Sequence, residues 1–205
     1  MIQMLDRAHP DAKLDLDFSN PLELLIALIL AAQARDDLVN KITPTLFVKY
    51  RTAKEYAAAP LEELGERVRR INFSRVKSRR IKDCCAEIVR RFHGEVPRNL
   101  DDLLTLPGVG RKTANIVLFS AFGKNEGIAV DTHVFRVSRR LGITNKNTPE
   151  KVEKDLMEIV EKKEWGPFTD YLIWHGRKVC DARKPKCNAC PLLKYCPQIG
   201  VTTSA

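Results

Sequence analysis

Near the C-terminal end Cys180, Cys187, Cys190 and Cys196 follow the pattern C-x6-C-x2-C-x5-C. Four thiolates in so short a span can surround one [4Fe-4S] cluster or one zinc ion. The spacing matches neither a common zinc ribbon nor a ferredoxin run, so it implies a metal and leaves its identity open. A disulfide framework is the alternative, and a reducing compartment disfavours it. Between the first two cysteines lie Arg183, Lys184 and Lys186, cations on a loop that a metal would hold rigid and that suits contact with phosphate.

A second group is Leu106-Pro107-Gly108-Val109-Gly110-Arg111-Lys112-Thr113-Ala114. Two glycines make a tight turn between helices and let backbone N–H groups approach an anion, while the next helix points its positive dipole end at it. That describes a helix-hairpin-helix gripping a DNA phosphate, although Gly-x-Gly turns between helices are also common without a ligand. Lys112 falls in the first helical turn beside Arg111, where the dipole and the neighbouring cation both disfavour its ammonium form. The free amine is the nucleophile that forms Schiff bases with sugar carbons; the alternative for Lys112 is a second phosphate contact. Downstream, Asp131 precedes Thr132-His133-Val134-Phe135-Arg136 and is placed to cap a helix. Beside Lys112, its carboxylate would also stabilise positive charge developing on a sugar and help deprotonate the amine. His133 reads as an ordinary helix side chain.

The elements that position these groups are helical almost throughout. Asn20, Pro21 and Glu23 form a capping pattern before the apolar run from Leu24, which predicts a buried helix. From Arg75 to Phe92, Ile81, Cys84 or Cys85, Ile88 and Phe92 recur at helical spacing, with Gly94 as a stop, so Cys84 and Cys85 are core thiols. Asn99 and Asp102 open a short helix that ends at the glycine turn. Val137 and Leu141 continue the apolar face of the Asp131 helix, and Val152, Leu156 and Ile159 mark a further amphipathic one. No strand alternation, heptad array or low-complexity linker intervenes, so the expected class is all-α. Pro185, Pro191 and Pro197 interleave with the cysteines in a segment short of helical pattern, which needs a staple to be ordered.

The 205 residues can hold one domain or two small lobes. Lys and Arg outnumber Asp and Glu by 35 to 26, a net charge of +9 that suits a polyanionic partner. The apolar stretch Leu24 to Ala32 is too short to cross a bilayer. Asp6, Asp11 and Asp15 break the layout of a secretory signal, so the expected location is intracellular, in the cytoplasm or nucleoid.

The hairpin from Leu106 to Ala114, Val130-Asp131-Thr132-His133 and the cysteine spacing together resemble the endonuclease III family of helix-hairpin-helix, Gly/Pro-Asp DNA glycosylases, from about Phe18 to Cys196. The resemblance implies two α-helical lobes with a DNA-binding cleft between them. One is a six-helix domain over residues 19–125, with the helix-hairpin-helix at about 98–123. The other is a helical iron–sulfur domain from residues 1–18 plus 126–205. It implies one [4Fe-4S] cluster on the four cysteines, a monomer, and duplex DNA carrying damaged pyrimidines or abasic sites as the partner.

It also implies a bifunctional glycosylase and AP lyase. Lys112 attacks C1′, Asp131 assists, the base leaves, and β-elimination cuts the strand 3′ to the abasic site. Gly108, Val109, Gly110 and Arg111 would hold a phosphate. The flipped nucleotide leaves a gap that Gln33 is placed to fill, by the match of Ala31-Ala32-Gln33-Ala34 to the family's helix end. Phe73 stands where the family usually has a leucine wedge, and Arg35 replaces a small polar residue and offers a further DNA contact. An adenine-specific mismatch glycosylase fits less well, because it typically lacks the hairpin lysine and no carboxylate lies between Leu24 and Gln33 to serve as its catalytic acid. A non-catalytic DNA-binding module would not require both Lys112 and Asp131. An electron carrier would leave the helical remainder without purpose.

Overall fold

Asn20 caps the helix Pro21–Ala31 by accepting the Glu23 N–H at 3.0 Å, while the Glu23 carboxylate returns to the Ser19 N–H at 2.7 Å and Pro21 supplies a preset φ. Reciprocal caps of this kind recur through the computed structural model, which describes residues 1–205 and is entirely helical, with eleven α-helices and short 3-10 turns. None of these helices is long and apolar enough to cross a membrane. The chain divides into two compact units, Asp15–Lys124 and the two chain ends, Met1–Leu14 with Asn125–Ala205.

The first unit holds α2 (Pro21–Ala31), α3 (Asp36–Lys49), α4 (Ala53–Ala58), α5 (Leu61–Arg67), α6 (Ser74–Phe92), α7 (Leu100–Leu104) and α8 (Arg111–Phe122). These are seven helical segments, with Pro60 dividing the short α4 and α5. α2 is buried almost all round, with Leu24, Leu25, Ile26, Ala27 and Leu30 fully inaccessible, which makes it the axis of this unit's core. α6 turns Ile81, Cys84, Cys85 and Ile88 inward, and burial pushes the Cys84 thiol up to about 12, so it stays protonated and unreactive. The stop of α6 uses Gly94, which has φ 88°, together with the residue before it. His93 takes the left-handed conformation, with φ 55°, and the Gly94 N–H then closes on Ile88 O at 3.1 Å.

The second unit contains α1 (Ile2–Ala8), α9 (Thr132–Arg140), α10 (Pro149–Ile159) and α11 (Trp165–Lys178). Its core gathers Leu5, Val130, Val134, Val137, Val152, Leu156, Phe168 and Leu172. The N-terminal segment is tied to α11 by Tyr171 Oη donating to Asp6 at 2.6 Å, Trp174 Nε1 donating to Lys13 O at 2.8 Å, and a 3.1 Å contact between the buried rings of His9 and His175. One expected core position is corrected: Ile159 is 62% exposed. It is the last residue of α10, where the apolar stripe ends after Val152 and Leu156. After Lys178 the chain makes only two three-residue 3-10 turns, at Cys187–Ala189 and Leu193–Tyr195.

Candidate functional site

The hairpin is built by α7, the turn and α8. Gly108 has φ +81°, in the left-handed region, and a Cβ there would stand 3.2 Å from the Arg80 side chain of α6. The glycine therefore gives both the turn and the room for the Arg80 stem. Val109 is buried and its N–H closes on Leu106 O at 3.1 Å, so this residue holds the turn and its amide is already used. Gly110 is the N-cap of α8, with open space where a side chain would be. Arg111 and Lys112 are the first two residues of the helix, and the Lys112 side chain is exposed to solvent. An exposed amine on the first turn of a helix, next to a side-chain-free cap, is reachable by a large polyanionic ligand.

Asp131, in the other unit, caps α9 with one oxygen. Its Oδ1 accepts from the N–H groups of His133 at 2.7 Å and Val134 at 2.8 Å, and the cap makes no use of Oδ2. The cap thus occupies only one of the two carboxylate oxygens. From α9 a chain of contacts leads on to the cysteine loop. Arg136 reaches His133 Nδ1 at 3.1 Å, Gly176 O at 2.9 Å and Cys180 O at 3.1 Å. Burial holds His133 below its usual range, against the opposing pull of the Asp131 charge.

All four loop cysteines are free thiols that line one cavity, together with Arg140, His175, Lys186, Gln198 and apolar side chains. As they stand, no three of them converge closely enough to hold a single metal ion. What they share is the space between them. No carboxylate enters that space, while Arg140 Nη1 lies 3.4 Å from Cys180 Sγ and the Gln198 N–H lies 3.4 Å from Cys196 Sγ. Burial pushes the Cys190 and Cys196 thiols up, and repulsion among the four adds to it. A positively charged metal centre would relieve that repulsion, so the donor set fits a thiolate-bound cluster.

The Arg183, Lys184 and Lys186 side chains are exposed, on a loop fixed at both edges. Asp181 Oδ1 accepts the N–H groups of Arg183 and Lys184 at 2.8 and 3.1 Å. Thr203 Oγ1 and the Ala205 N–H bind the carbonyls of Arg183 and Pro185.

Gln33 and Phe73 are exposed residues in left-handed turns, with φ 56° and 59°. The structure brings these two turns together, Asn72 Nδ2 standing 3.4 Å from Gln33 O. Arg35 instead forks onto Asp37, with two 2.9 Å contacts, so its charge is already partnered.

Three participants escaped the sequence reading. Arg136 and Arg140 lie one turn apart on α9, a spacing that would have placed both on one face had the partner of that face been known. Lys77 is only 3% exposed and donates to Leu30 O at 2.8 Å. Nothing in the basic run around it marks Lys77 as inward-facing.

A family model described as HhH-GPD superfamily base excision DNA repair protein matches residues 26–162. The chain is 45% identical over 197 residues to Endonuclease III of Synechocystis sp., covering 96% of this chain and 90% of that protein. It is 48% identical over 188 residues to Endonuclease III of Bacillus subtilis, covering 91% and 85%. It also superposes, with a TM-score of 0.92 and 48% identity, on a trapped Endonuclease III–DNA covalent intermediate, covering 96% of this chain and 92% of that one.

Proposed function

Because the chain belongs to the HhH-GPD superfamily of base excision DNA repair proteins, and within it to the endonuclease III family, we propose that Lys112 and Asp131 carry its chemistry on damaged duplex DNA. The protein is a bifunctional DNA glycosylase and AP lyase. The observation that carries the residue assignment is an exposed amine on the first turn of α8, directly after a glycine hairpin, in a chain 48% identical to an enzyme trapped covalently on DNA.

The uncharged Lys112 amine attacks C1′ of the flipped nucleotide, and the bond from C1′ to the base breaks, the base leaving with a proton. Asp131 Oδ2, left over from the cap, stabilises the positive charge that builds on the sugar and takes a proton from the attacking nitrogen. Opening of the sugar ring gives the Schiff base. Loss of a C2′ proton then expels the 3′ phosphate by β-elimination. The backbone N–H groups around Gly110, with Arg111, hold a phosphate of the lesion strand. Gln33 and Phe73 fill the gap in the duplex. Oxidised pyrimidines are the proposed substrates.

Cys180, Cys187, Cys190 and Cys196 hold a [4Fe-4S] cluster in this reading. The cluster would order the loop that presents Arg183, Lys184 and Lys186. This rests on four thiols lining one cavity that no carboxylate enters. The cluster unit formed by the chain ends and the hairpin unit are the proposed functional halves.

Borohydride trapping on a duplex with one thymine glycol tests the assignment. Wild type gives a covalent adduct, and Lys112→Gln gives none while still binding the duplex. An adduct from Lys112→Gln would move the nucleophile to another amine. No adduct from wild type, on the lesion or on an abasic site, would remove the Schiff-base route.

A further inference from the structure

α6 contains a lysine in an unusual place. Lys77 is 3% exposed, and its ammonium donates at 2.8 Å to Leu30 O, a carbonyl in the last turn of α2. No carboxylate faces it. The other charge acting on it is Arg80, of like sign, and burial together with Arg80 pulls its titration down. A buried cation paired only with a main-chain carbonyl is costly, and an apolar side chain would fill the same volume without that cost. Stability alone does not explain it.

Its position does. Leu30 O lies three residues before Gln33, and the Lys77 backbone N–H donates at 3.0 Å to Phe73 O. That main-chain bond is the first i→i−4 bond of α6, so Lys77 stands one turn into the helix that begins at the Phe73 turn, and its side chain ties that turn to the end of α2 beside Gln33. Both turns are held in the left-handed conformation by residues other than glycine, which is uncommon and persists only where the surroundings enforce it. The 3.4 Å contact from Asn72 to Gln33 O is a second, weaker strut between the same turns. Further along α6 the Arg80 stem packs against Gly108 of the hairpin.

We propose that Lys77 is a positioning residue that locks the Gln33 and Phe73 turns into one rigid edge, so that the two side chains enter the duplex together when a nucleotide is flipped. This rests on the reading of Gln33 and Phe73 as gap fillers. Lys77 touches no reacting atom. Its effect falls on flipping, so it is largest where a base must be unstacked and small where the nucleotide has no base to unstack.

Two reactions separate this role from simple stabilisation: single-turnover base release from a thymine glycol duplex, and Schiff-base trapping at a preformed abasic site. Lys77→Met should slow base release roughly tenfold or more while changing the trapping rate by less than about threefold. In a Gln33→Ala/Phe73→Ala background the same substitution should add little, because the side chains it positions are gone. Equal slowing of both reactions, or a full additional effect in that background, would overturn the proposal and leave Lys77 a structural residue. The Gln33→Ala/Phe73→Ala protein with Lys77 intact tests the premise separately. If its base release is unchanged, the gap-filling reading fails and takes this proposal with it. Should Lys77→Met fail to fold, Asn72→Ala alters an exposed side chain and must show the same selective loss, about two- to threefold in base release alone. No selective loss there would count against the rigid edge.

Discussion

At the scale of single residues, the cap made by Asp131 can be tested apart from the chemical role proposed for it. The cap on α9 is made by Oδ1 alone, through His133 N and Val134 N, so the two functions are separable by substitution. Asparagine caps a helix about as well as aspartate but carries no charge. Asp131→Asn should therefore cost less than about 1 kcal/mol, whereas Asp131→Ala should cost about 1–2 kcal/mol through loss of the cap. Both should lose base release. Thermal unfolding and single-turnover excision on the two variants check this, and near-wild-type excision by Asp131→Asn would reduce Asp131 to a cap. Asp131 was legible as a helix cap and Lys112 as a first-turn residue after a glycine hairpin, while the chemistry proposed for both comes from the family resemblance. Lys77 was not legible, since a lysine within Arg75 to Arg80 reads as one more solvated cation until the packing of α6 is known.

At the scale of elements, α9 and α11 approach as closely as their side chains allow. A Cβ on Gly176 would stand 2.9 Å from His133 Cβ and Nδ1 and 3.1 Å from Arg136 Nη2, and Gly176 O is itself an acceptor for Arg136. Gly176→Ala should force the helices apart or turn Arg136 out, destabilising the unit by about 1–3 kcal/mol. Because Arg136 also holds Cys180 O, the visible absorption of the proposed metal centre should disappear at a lower temperature than in wild type. An unchanged unfolding temperature would mean that the close approach relaxes without cost. Helices with strong punctuation could be read from sequence: α2 from Asn20-Pro21, α7 from Asn99, and α8 from its glycines. α4 and α5 are only six and seven residues long, too short for periodicity to appear, and α11 carries Gly166 and Pro167 in its first turn and Gly176 near its end, residues that usually mark breaks.

At the scale of the whole molecule, the union of the two chain ends in one unit follows from no local pattern. It depends on hydrogen bonds between residues more than 160 apart in sequence, such as Tyr171 with Asp6 and Trp174 with Lys13. The end of that unit has no α-helix after Lys178, and few of its side chains are buried, Pro185 and Leu192 among them. What restrains residues 180–201 from within the protein is a set of hydrogen bonds to main-chain carbonyls, chiefly from Arg136 and Arg140, with Arg140 Nη reaching Asp181 O at 2.6 Å and Ala182 O at 2.7 Å. Such bonds contribute modestly each, so the loop's order should depend on the proposed cluster. Chelating the cluster from the whole protein should make residues 180–201 susceptible to protease while amide protection in residues 15–124 persists. Arg183, Lys184 and Lys186 would then lose their fixed positions. Affinity for duplex DNA should fall on all sequences alike, and the slope of its logarithm against log salt should flatten by roughly 0.9 for each phosphate that is no longer neutralised. The holoprotein carrying Lys184→Ala and Lys186→Ala should flatten by about twice that amount, with its cluster absorption intact. If chelation flattens the slope and the double variant does not, the cluster acts on DNA binding through other residues; if neither changes it, the phosphates are held elsewhere, with the hairpin around Gly110 the first place to look.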